Sequence, residues 1–565
     1  MKLARIFNAD LHNIHHAAFW LAFFSASSAV LGMCRDRLLA GKFGASRTLD
    51  IYYASFRVPD FIYTLLLLFT ASTALIPTIL EKLDKGLSKD VEEFLGSLMA
   101  FFFVFIFVLE IIAFFLIPHF TRVSLPGFSE SDQRLAILIS RILLLSPLFL
   151  GFSNIFSSIT QSLRKFFVYG LSPVFYNLGI IVGILFFVDL FGLAGLALGV
   201  ILGAFLHMAI QVPVIFTSKI IPKFRRFWHK DVRKIFLLSL PRTLGLEIHQ
   251  VSWIIFTGIA STLSQGSISI LNLASNLEYI PITVIGLSYS VATFPGLAAY
   301  SLKHAKDHFA EHFSAAFRHI LFWAVPFSAL LLVLRAQVVR IILGSGEFSW
   351  VDTRLTAAAL FLLSLAVVFQ SLFMLLVRAF YAEGESWRPL VINVIATVLS
   401  IGAILWFLGA LSPGSFFNDL VGNILKLSDI QDIRVIALPL GILIGSFANF
   451  LFLSLAFRVL LGWFPTKGSE RAILEIFFAS TMGAFVAYFS LNAFAKIFDL
   501  HTFLGIFFQG ALSGTLGLLM IAGILWVLRN KELLEIYENV RALFSEKERM
   551  REDYAVPSPE PEKLP

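Results

Sequence analysis

Long apolar runs alternate with short polar segments along the whole chain. Fourteen such runs, each of about twenty residues or more, can be drawn in the 565 residues. A helix needs roughly 20 residues to cross the ~30 Å hydrocarbon core of a bilayer, and its backbone groups must be hydrogen-bonded internally there. The pattern predicts an all-α integral membrane protein with fourteen transmembrane helices, at 15–38, 51–80, 94–118, 135–160, 167–188, 193–217, 235–260, 268–300, 314–343, 355–380, 389–411, 433–457, 472–495 and 502–528.

The composition also indicates a membrane protein, and it excludes several classes of function. Hydrophobic residues make up 58% and charged residues 14% of the chain, with a mean hydropathy of +0.83, whereas soluble domains are about 25% charged. The single Cys34 excludes an intramolecular disulfide framework and a multi-cysteine metal cluster. HExxH, GxxxxGK[ST], CxxC and nucleophile-elbow motifs do not occur. We therefore expect a protein that is not an enzyme and that needs no bound cofactor.

Basic residues are distributed unevenly between the loops. If the chain begins inside, the loops on the cytoplasmic side contain 19 Lys and Arg residues and those on the other side contain seven. Cytoplasmic loops are enriched in these residues, so we expect both termini in the cytoplasm. The net charge of +7 is thus explained by the orientation of the chain in the membrane, and we expect no nucleic-acid partner.

A short motif occurs twice and suggests an internal repeat. Pro173 and Asn177 have the same Pro-x-x-x-Asn spacing as Pro389 and Asn393, and a basic residue precedes each pair. The two copies lie six predicted helices apart, which indicates two six-helix lobes of the kind that transporters place around a binding cavity. The predicted regions are an N-lobe at 1–217, a cytoplasmic amphipathic linker at 218–234, a C-lobe at 235–460, two further helices within 461–529 and a charged cytoplasmic tail at 530–565.

Several predicted helices carry charges in or near their apolar runs. A charged side chain at a helix centre costs ~2.5–3.5 kcal/mol even on insertion scales, so such positions indicate a hydrated cavity. Arginines in this setting can hold an anionic headgroup through charge-assisted hydrogen bonds. Alternatively, they extend to the membrane surface, and Arg57 is offset by Asp60 on the same helix face. The candidate positions are Arg35, Arg37, Asp50, Arg57, Glu247 and Glu278.

Glu247 and Glu278 allow two interpretations of their own. Facing carboxylates on neighbouring helices can bind a proton or a sodium ion and couple its gradient to transport. The alternative is a pair of neutral glutamic acids that hydrogen-bond to the backbone.

Three stretches resemble one family. SSAVLGMCRDRLLAGKFGASRTLDIYYASFRVPDFI, from Ser27 to Ile62, resembles the SRVLGxxRD, FGA and AFRxPN motifs of the MurJ (MviN) lipid II flippases. GEFSWVDTRLTAAAL, from Gly346 to Leu360, is similar to the family's GxFxxxDTxxTxxAL. VRAFYAEGESWRPLVINV, from Val377 to Val394, is similar to RxFYAxxDTxTP. The similarity covers roughly residues 20–460.

The resemblance implies a fold and a function. The fold would be that of the MOP exporter superfamily, with two lobes around a cavity and the two helices within 461–529 forming a groove for a polyprenyl tail. The protein would carry a polyprenyl-diphosphate-linked peptidoglycan precursor, lipid II, from the cytoplasmic to the outer leaflet of the bacterial inner membrane by alternating access. Its partners would be this lipid, the surrounding membrane lipids and cell-wall synthesis proteins. Na⁺, H⁺ or the membrane potential would drive it.

The resemblance also places site residues. The family's four cavity arginine positions fall on Ala29, Arg35, Tyr63 and Asn276, so one arginine is retained. Asp50 is retained, and an acid remains in the RAFYA segment as Glu385. The predicted substrate site therefore comprises Arg35, Arg37, Asp50, Arg57 and Asn276, and the predicted coupling-ion residues are Glu247, Glu278 and Glu385.

The arginine losses leave other functions open. One is a flippase for another lipid-linked oligosaccharide. Others are a cation-coupled small-molecule exporter, which would need twelve helices, and a non-transporting scaffold in cell-wall assembly that docks through its charged tail.

Overall fold

The computed structural model of the chain describes residues 14–70, 72–218, 220–224, 229–462 and 469–544. These residues form helices joined mostly by short loops. In chain order the helices are α1 Ile14–Phe43, α2 Arg47–Ser55, α3 Arg57–Thr70, α4 Ser72–Asp84, α5 Ser88–Ser124, α6 Glu130–Ser162, α7 Phe166–Phe191, α8 Leu193–Thr217, α9 Lys230–Ser261, α10 Ser267–Leu302, α11 Lys306–Ile342, α12 Trp350–Ala382, α13 Trp387–Ala410, α14 Phe416–Leu425, α15 Ala437–Leu461, α16 Ser469–Phe494, α17 Phe503–Val527 and α18 Lys531–Phe544.

The predicted all-α membrane fold is confirmed. In the described part of the chain, eleven helices are long and apolar enough to cross a membrane. Every predicted span overlaps at least one helix, and the three spans outside those eleven coincide with α1, with α2 to α4 and with α9. The count of fourteen crossings stays a prediction.

The second predicted span, 51–80, is divided into α2, α3 and α4. The first division falls at Phe56, a turn residue with helical backbone angles that belongs to neither helix. A break of this kind releases backbone carbonyls that need new donors. The Ser140 hydroxyl of α6 donates to the Ser55 carbonyl at 3.1 Å, so the neighbouring helix satisfies the group that the break exposes.

Glycine residues let α7 and α8 approach closely. A Cβ atom added at Gly179 would lie 2.3 Å from the Cα of Gly203, and one added at Gly183 would lie 2.5 Å from the Cα of Gly199. Small residues at helix contacts allow backbones to pack tightly in membranes. A π-helical turn at Gly183–Phe187 follows this contact within α7. This packing holds the second half of α8, with His207, beside the Asn177 turn of α7.

The contacts divide the chain into two compact units. The first contains Met1–Ile280, Val338–Ala366 and Gly384–Leu453, and the second contains Pro281–Gln337, Val367–Glu383 and Ser454–Pro565. The polar cavity considered below lies in the first unit.

The predicted linker and tail are only partly described. Around 218–234 the backbone N–H of Lys223 donates to the Glu92 carbonyl at 2.9 Å, and its ammonium lies 2.8 Å from the Glu92 carboxylate, so this part packs on α5. In the second unit, Glu532 of α18 is buried and lies 2.6 Å from the Arg318 guanidinium. Residues 545–565, which the sequence assigns to an unstructured tail, lie outside the described residues.

Candidate functional site: a polar cavity in the first unit

A cavity of about 420 Å³ opens among α1, α3, α6, α7 and α8. One part of its wall is apolar, and the other part carries hydroxyl, amide, imidazole and charged groups. The polar lining residues are Ser28, Arg35, Asp60, Tyr63, Ser146, Tyr176, Asn177 and His207. A cavity of this size within membrane helices, with a cation in its wall, suits a hydrated site for a polar or anionic group.

Arg35 is the cavity cation, and two neighbours fix its guanidinium. Its Nε donates to the Asp36 carboxylate at 2.9 Å, and its Nη1 donates to the Asn177 Oδ1 at 3.2 Å. The other oxygen of Asp36 accepts from the Asn276 Nδ2 at 3.1 Å. The predicted residues Arg35 and Asn276 are thus joined through Asp36, which the sequence analysis left out of the site.

Asn177 explains the spacing of the Pro-x-x-x-Asn motif. Its Nδ2 contacts the Pro173 carbonyl one turn earlier at 3.3 Å and the Ser28 carbonyl and hydroxyl of α1 at 3.2 and 3.1 Å. Because the amide nitrogen is held by these acceptors, the amide oxygen is turned toward Arg35. The motif therefore positions the guanidinium from across the cavity.

Arg57 is buried and bonded within the protein. Its Nε donates to the Thr257 hydroxyl at 2.7 Å, its Nη2 donates to the Asn272 Oδ1 at 2.8 Å, and its guanidinium lies 5.0 Å from the Trp253 ring centre. These contacts join α3 to α9 and α10. That Arg57 binds substrate stays a prediction. Asp60, one turn later on the same helix, is attracted by the charge of Arg57 and also lines the cavity.

Asp50 and Arg37 contact helix ends. The Asp50 carboxylate is 1% exposed and accepts from the backbone N–H groups of Gly266 and Ser269 at 2.7 and 2.8 Å and from the Ser269 hydroxyl at 2.7 Å. A carboxylate at a helix N-terminus is stabilised by the unpaired N–H groups there, so Asp50 caps α10. Arg37 donates to the Ile341 carbonyl at 2.5 Å, at the end of α11.

The three predicted coupling-ion residues have different surroundings. Glu247 of α9 is 7% exposed, and its two buried carboxylate oxygens have no hydrogen-bond partner among the described residues. Glu278 of α10 is also buried. Glu385 precedes α13 and lies 3.6 Å from the Arg388 guanidinium. Their assignment as ion ligands stays a prediction.

Most polar residues of the wall are not among the site residues predicted from the sequence. Tyr63, whose position the family resemblance equates with a lost arginine, accepts from the Asn154 amide at 3.1 Å. His207 lies 2.6 Å from the Ser153 hydroxyl. Tyr176 and Ser28 also lie in the wall. No repeated spacing marks these residues in the sequence, whereas Asn177 belongs to the repeated Pro-x-x-x-Asn motif.

Comparison with known proteins bears on the whole chain. The sequence profile of the family described as lipid II flippase MurJ matches residues 39–509. A probable lipid II flippase MurJ of Buchnera aphidicola subsp. Acyrthosiphon pisum is 29% identical over 381 residues, covering 66% of this chain and 74% of the relative. The corresponding protein of Thermotoga maritima is 27% identical over 377 residues, covering 66% and 75%.

Solved structures give the same fold. A lipid II flippase MurJ in an inward closed conformation superposes with a TM-score of 0.69 at 23% identity, covering 90% of this chain and 99% of that one. An inward-facing multidrug resistance MATE family transporter of the MOP superfamily superposes with a TM-score of 0.62 at 16% identity, covering 77% and 95%. The resemblance stated from the sequence motifs is confirmed, and the chain belongs to the MurJ family of lipid II flippases.

Proposed function

We propose that this multi-pass membrane protein carries lipid II from the cytoplasmic to the outer leaflet of the bacterial inner membrane, and that the diphosphate of the headgroup passes through the cavity beside Arg35. Membership of the MurJ family over residues 39–509 supports the substrate. The headgroup must cross a layer that rejects charge, while the polyprenyl tail can remain in lipid. The protein therefore has to supply a polar route for the headgroup alone.

The position of Arg35 in the cavity wall is the main support for this proposal. Its guanidinium lies in the wall of the cavity with its side chain 23% exposed, and Asp36 and Asn177 fix its orientation. Phosphate oxygens form charge-assisted hydrogen bonds with arginine that are stronger than neutral ones. An entering diphosphate would replace the Asn177 oxygen as the acceptor on Nη1, so the side chain needs little reorganisation to bind it.

The cavity size bears on how much of the headgroup fits at once. A volume of about 420 Å³ lies within the range of small-ligand sites. It accommodates a diphosphate, whereas a glycan with an attached peptide needs a wider space. Alternating access of the lobes would supply that space. Both termini would lie in the cytoplasm, and Na⁺, H⁺ or the membrane potential would drive the cycle.

The helices α16 and α17 are proposed to guide the polyprenyl tail. They pack closely, since a Cβ atom added at Gly483 would lie 2.7 Å from the Gly517 carbonyl oxygen. Their outer faces expose large apolar side chains, among them Phe489 and Leu519 at 66% and 62%. An apolar surface of this kind can hold a tail by contacts like those of surrounding lipid.

The test uses purified protein in liposomes and fluorescently labelled lipid II, with transfer between leaflets as the readout. We expect Arg35→Ala to reduce transfer at least about tenfold, because a charge-assisted hydrogen bond contributes about 1.5–3 kcal/mol, while the protein stays folded. Arg141→Ala is the matched control, since that arginine lies in a membrane helix with its guanidinium 4.2 Å from the Phe114 ring centre and outside the cavity lining.

Three results would count against the proposal. Unchanged transfer by Arg35→Ala would remove Arg35 from the route. Wild-type protein that moves a different lipid-linked oligosaccharide but leaves lipid II in place would replace the substrate. Wild-type protein that moves no lipid at all, in the presence of a Na⁺ gradient, a proton gradient or a membrane potential, would favour the exporter or scaffold functions.

A further inference from the structure

The cavity contains a carboxylate as well as a cation. Asp60 of α3 lines the wall together with Arg35, Tyr63 and Tyr176. Its position corresponds to the asparagine of the AFRxPN motif with which ASFRVPDFI was compared, so this chain has an ionisable acid where that motif has a neutral amide. An acidic side chain is unexpected in a site proposed to receive a diphosphate, because both groups can be negatively charged.

The arginines near the cavity donate hydrogen bonds to fixed acceptors, whereas the Asp60 carboxylate accepts none among the described residues and is attracted only through space by the charge of Arg57. Arg35 is paired with Asp36, and Arg57, one turn before Asp60, donates to Thr257 and Asn272. Within the part of the chain that the structure describes, no hydrogen bond or ion pair reaches the Asp60 side chain. The Asp60 backbone carbonyl accepts from the Thr64 hydroxyl at 3.0 Å, as in a regular helix turn.

The other titratable side chains near Asp60 lie on several neighbouring helices. Tyr52 lies on α2, Tyr176 on α7 and His207 on α8, where its Nδ1 is 2.6 Å from the Ser153 hydroxyl. On α9, which packs against α3, His249 accepts from the Trp253 indole at 3.0 Å and Glu247 is buried. The cavity wall contributed by α6 consists of Leu143, Ser146, Pro147 and Leu150, which do not titrate.

A diphosphate and an ionised Asp60 would repel each other in this space. Like charges a few ångströms apart, away from bulk water, disfavour each other strongly. A protonated Asp60 removes that repulsion and also offers an O–H donor to a phosphate oxygen. Binding of the anion and binding of a proton at Asp60 therefore assist each other, and such coupling is reciprocal.

We propose that Asp60 is a proton-binding site coupled to substrate, so that the protein takes up one proton at this carboxyl group when the lipid II headgroup enters the cavity. The proposal rests on the function proposed above and names its driving ion. A sodium ion would need several converging oxygen ligands besides Asp60. A proton needs only the carboxyl group itself, which favours the proton.

The experiment measures binding of fluorescent lipid II to the full-length protein in nanodiscs between about pH 5 and about pH 8. We expect wild-type affinity to fall with rising pH, by up to about tenfold per pH unit for a single linked proton. Asp60→Asn should bind at least as tightly and lose this dependence. Asp60→Glu should keep it, and so should His207→Gln, which removes the imidazole from the cavity wall.

A second readout counts protons directly. In weakly buffered solution with a pH-sensitive dye, wild-type protein should take up about one proton per lipid II bound at neutral pH, and Asp60→Asn should take up none. Thermal unfolding of each variant reports whether it is folded. If Asp60→Asn fails to fold, then proton uptake by the wild type, by Asp60→Glu and by His207→Gln decides the question.

The possible outcomes separate the two proposals. Wild-type protein that binds no lipid II at any pH would overturn the proposed function. Binding whose pH dependence and proton uptake persist in Asp60→Asn would overturn the role of Asp60 and leave the function standing. Binding that depends on Na⁺ and is independent of pH would replace the proton with a sodium ion.

Discussion

The two copies of the Pro-x-x-x-Asn motif lie in similar helices and have different partners. In α7, Asn177 contacts α1 and accepts from the cavity cation Arg35 at 3.2 Å. In α13, the Asn393 oxygen accepts from the Asn449 amide of α15 at 2.9 Å. The same spacing thus presents an amide to a neighbouring helix in both places, and the residue on that neighbour decides whether the contact orients a charge or only joins two helices.

Charge is also placed differently around the two motifs. Near Asn177, Arg35 and Asp60 lie in the cavity wall between membrane helices. Near Asn393, Glu385 lies 3.6 Å from Arg388 at the start of α13. In the segment that follows the other end of α13, Asp429 accepts from Arg354 of α12 at 2.6 and 2.5 Å, and Asp432 lies 2.8 Å from Arg434. Of the two motif asparagines, Asn177 contacts a charged side chain on its partner helix, whereas Asn393 contacts a neutral amide.

The largest expected effect comes from Asn177→Ala. The change removes the acceptor of Arg35 and the contacts with Ser28 and Pro173. We expect lipid II transfer in liposomes to fall at least about tenfold and the unfolding free energy to fall by about 1–3 kcal/mol, the cost of leaving buried polar groups unpaired. Asn177→Gln should restore little, because its amide sits one methylene further out.

Asn393→Ala is both the next prediction and the control for the first. Here a neutral amide pair is lost, and such contacts in membrane proteins contribute about 0.6 kcal/mol on average. We expect a loss of about that size in a double-mutant cycle with Asn449→Ala, and transfer within about twofold of wild type. Equal losses of transfer in Asn177→Ala and Asn393→Ala would contradict the distinction drawn between the motifs.

The sequence predicted the helices better than their ends and breaks. The apolar run at 94–118 lies inside α5, Ser88–Ser124, because the polar turns at both ends remain helical without being apolar. The break at Phe56 and the π-helical turns at Gly183–Phe187 and Ile282–Leu287 were not predicted. Such local changes alter hydrogen bonding by one residue and leave the hydrophobic pattern almost unchanged.

The sequence predicted Arg35 as a site residue but not the residues that pair with it. Arg35 and Asn276 were predicted, while Asp36, which joins them, was left out. Asp50 was predicted to line a cavity, yet its carboxylate meets the N-terminus of α10. These partners lie up to 240 residues away in the chain. Helical spacing specifies which residues share a face, and the partner of that face depends on tertiary packing.

The smallest effect is expected from Asp429→Asn, which tests the ion pair with Arg354 in the segment between α13 and α15. Hydrogen bonds from Arg354 hold the pKa of the Asp429 carboxyl below its usual range. A carboxyl group whose pKa is lowered by folding contributes stability above its unfolded pKa, about 3.9, and loses that contribution as the pH falls through the lower folded value. Asp429→Asn should therefore lower the melting temperature slightly at neutral pH, and the difference should shrink as the pH falls below the unfolded pKa of about 3.9.

The solvent exposure of the Arg354–Asp429 ion pair determines which control experiments are useful. The Asp429 side chain is 70% exposed, and exposed ion pairs are weak and screened by salt, so the shift should shrink in about 1 M NaCl. Asp419→Asn removes the same charge from the first turn of α14, a few residues earlier, and should show a smaller shift at neutral pH. If the difference between wild type and Asp429→Asn grows as the pH falls, the sign of this linkage is wrong and the Arg354–Asp429 pair does not stabilise the fold.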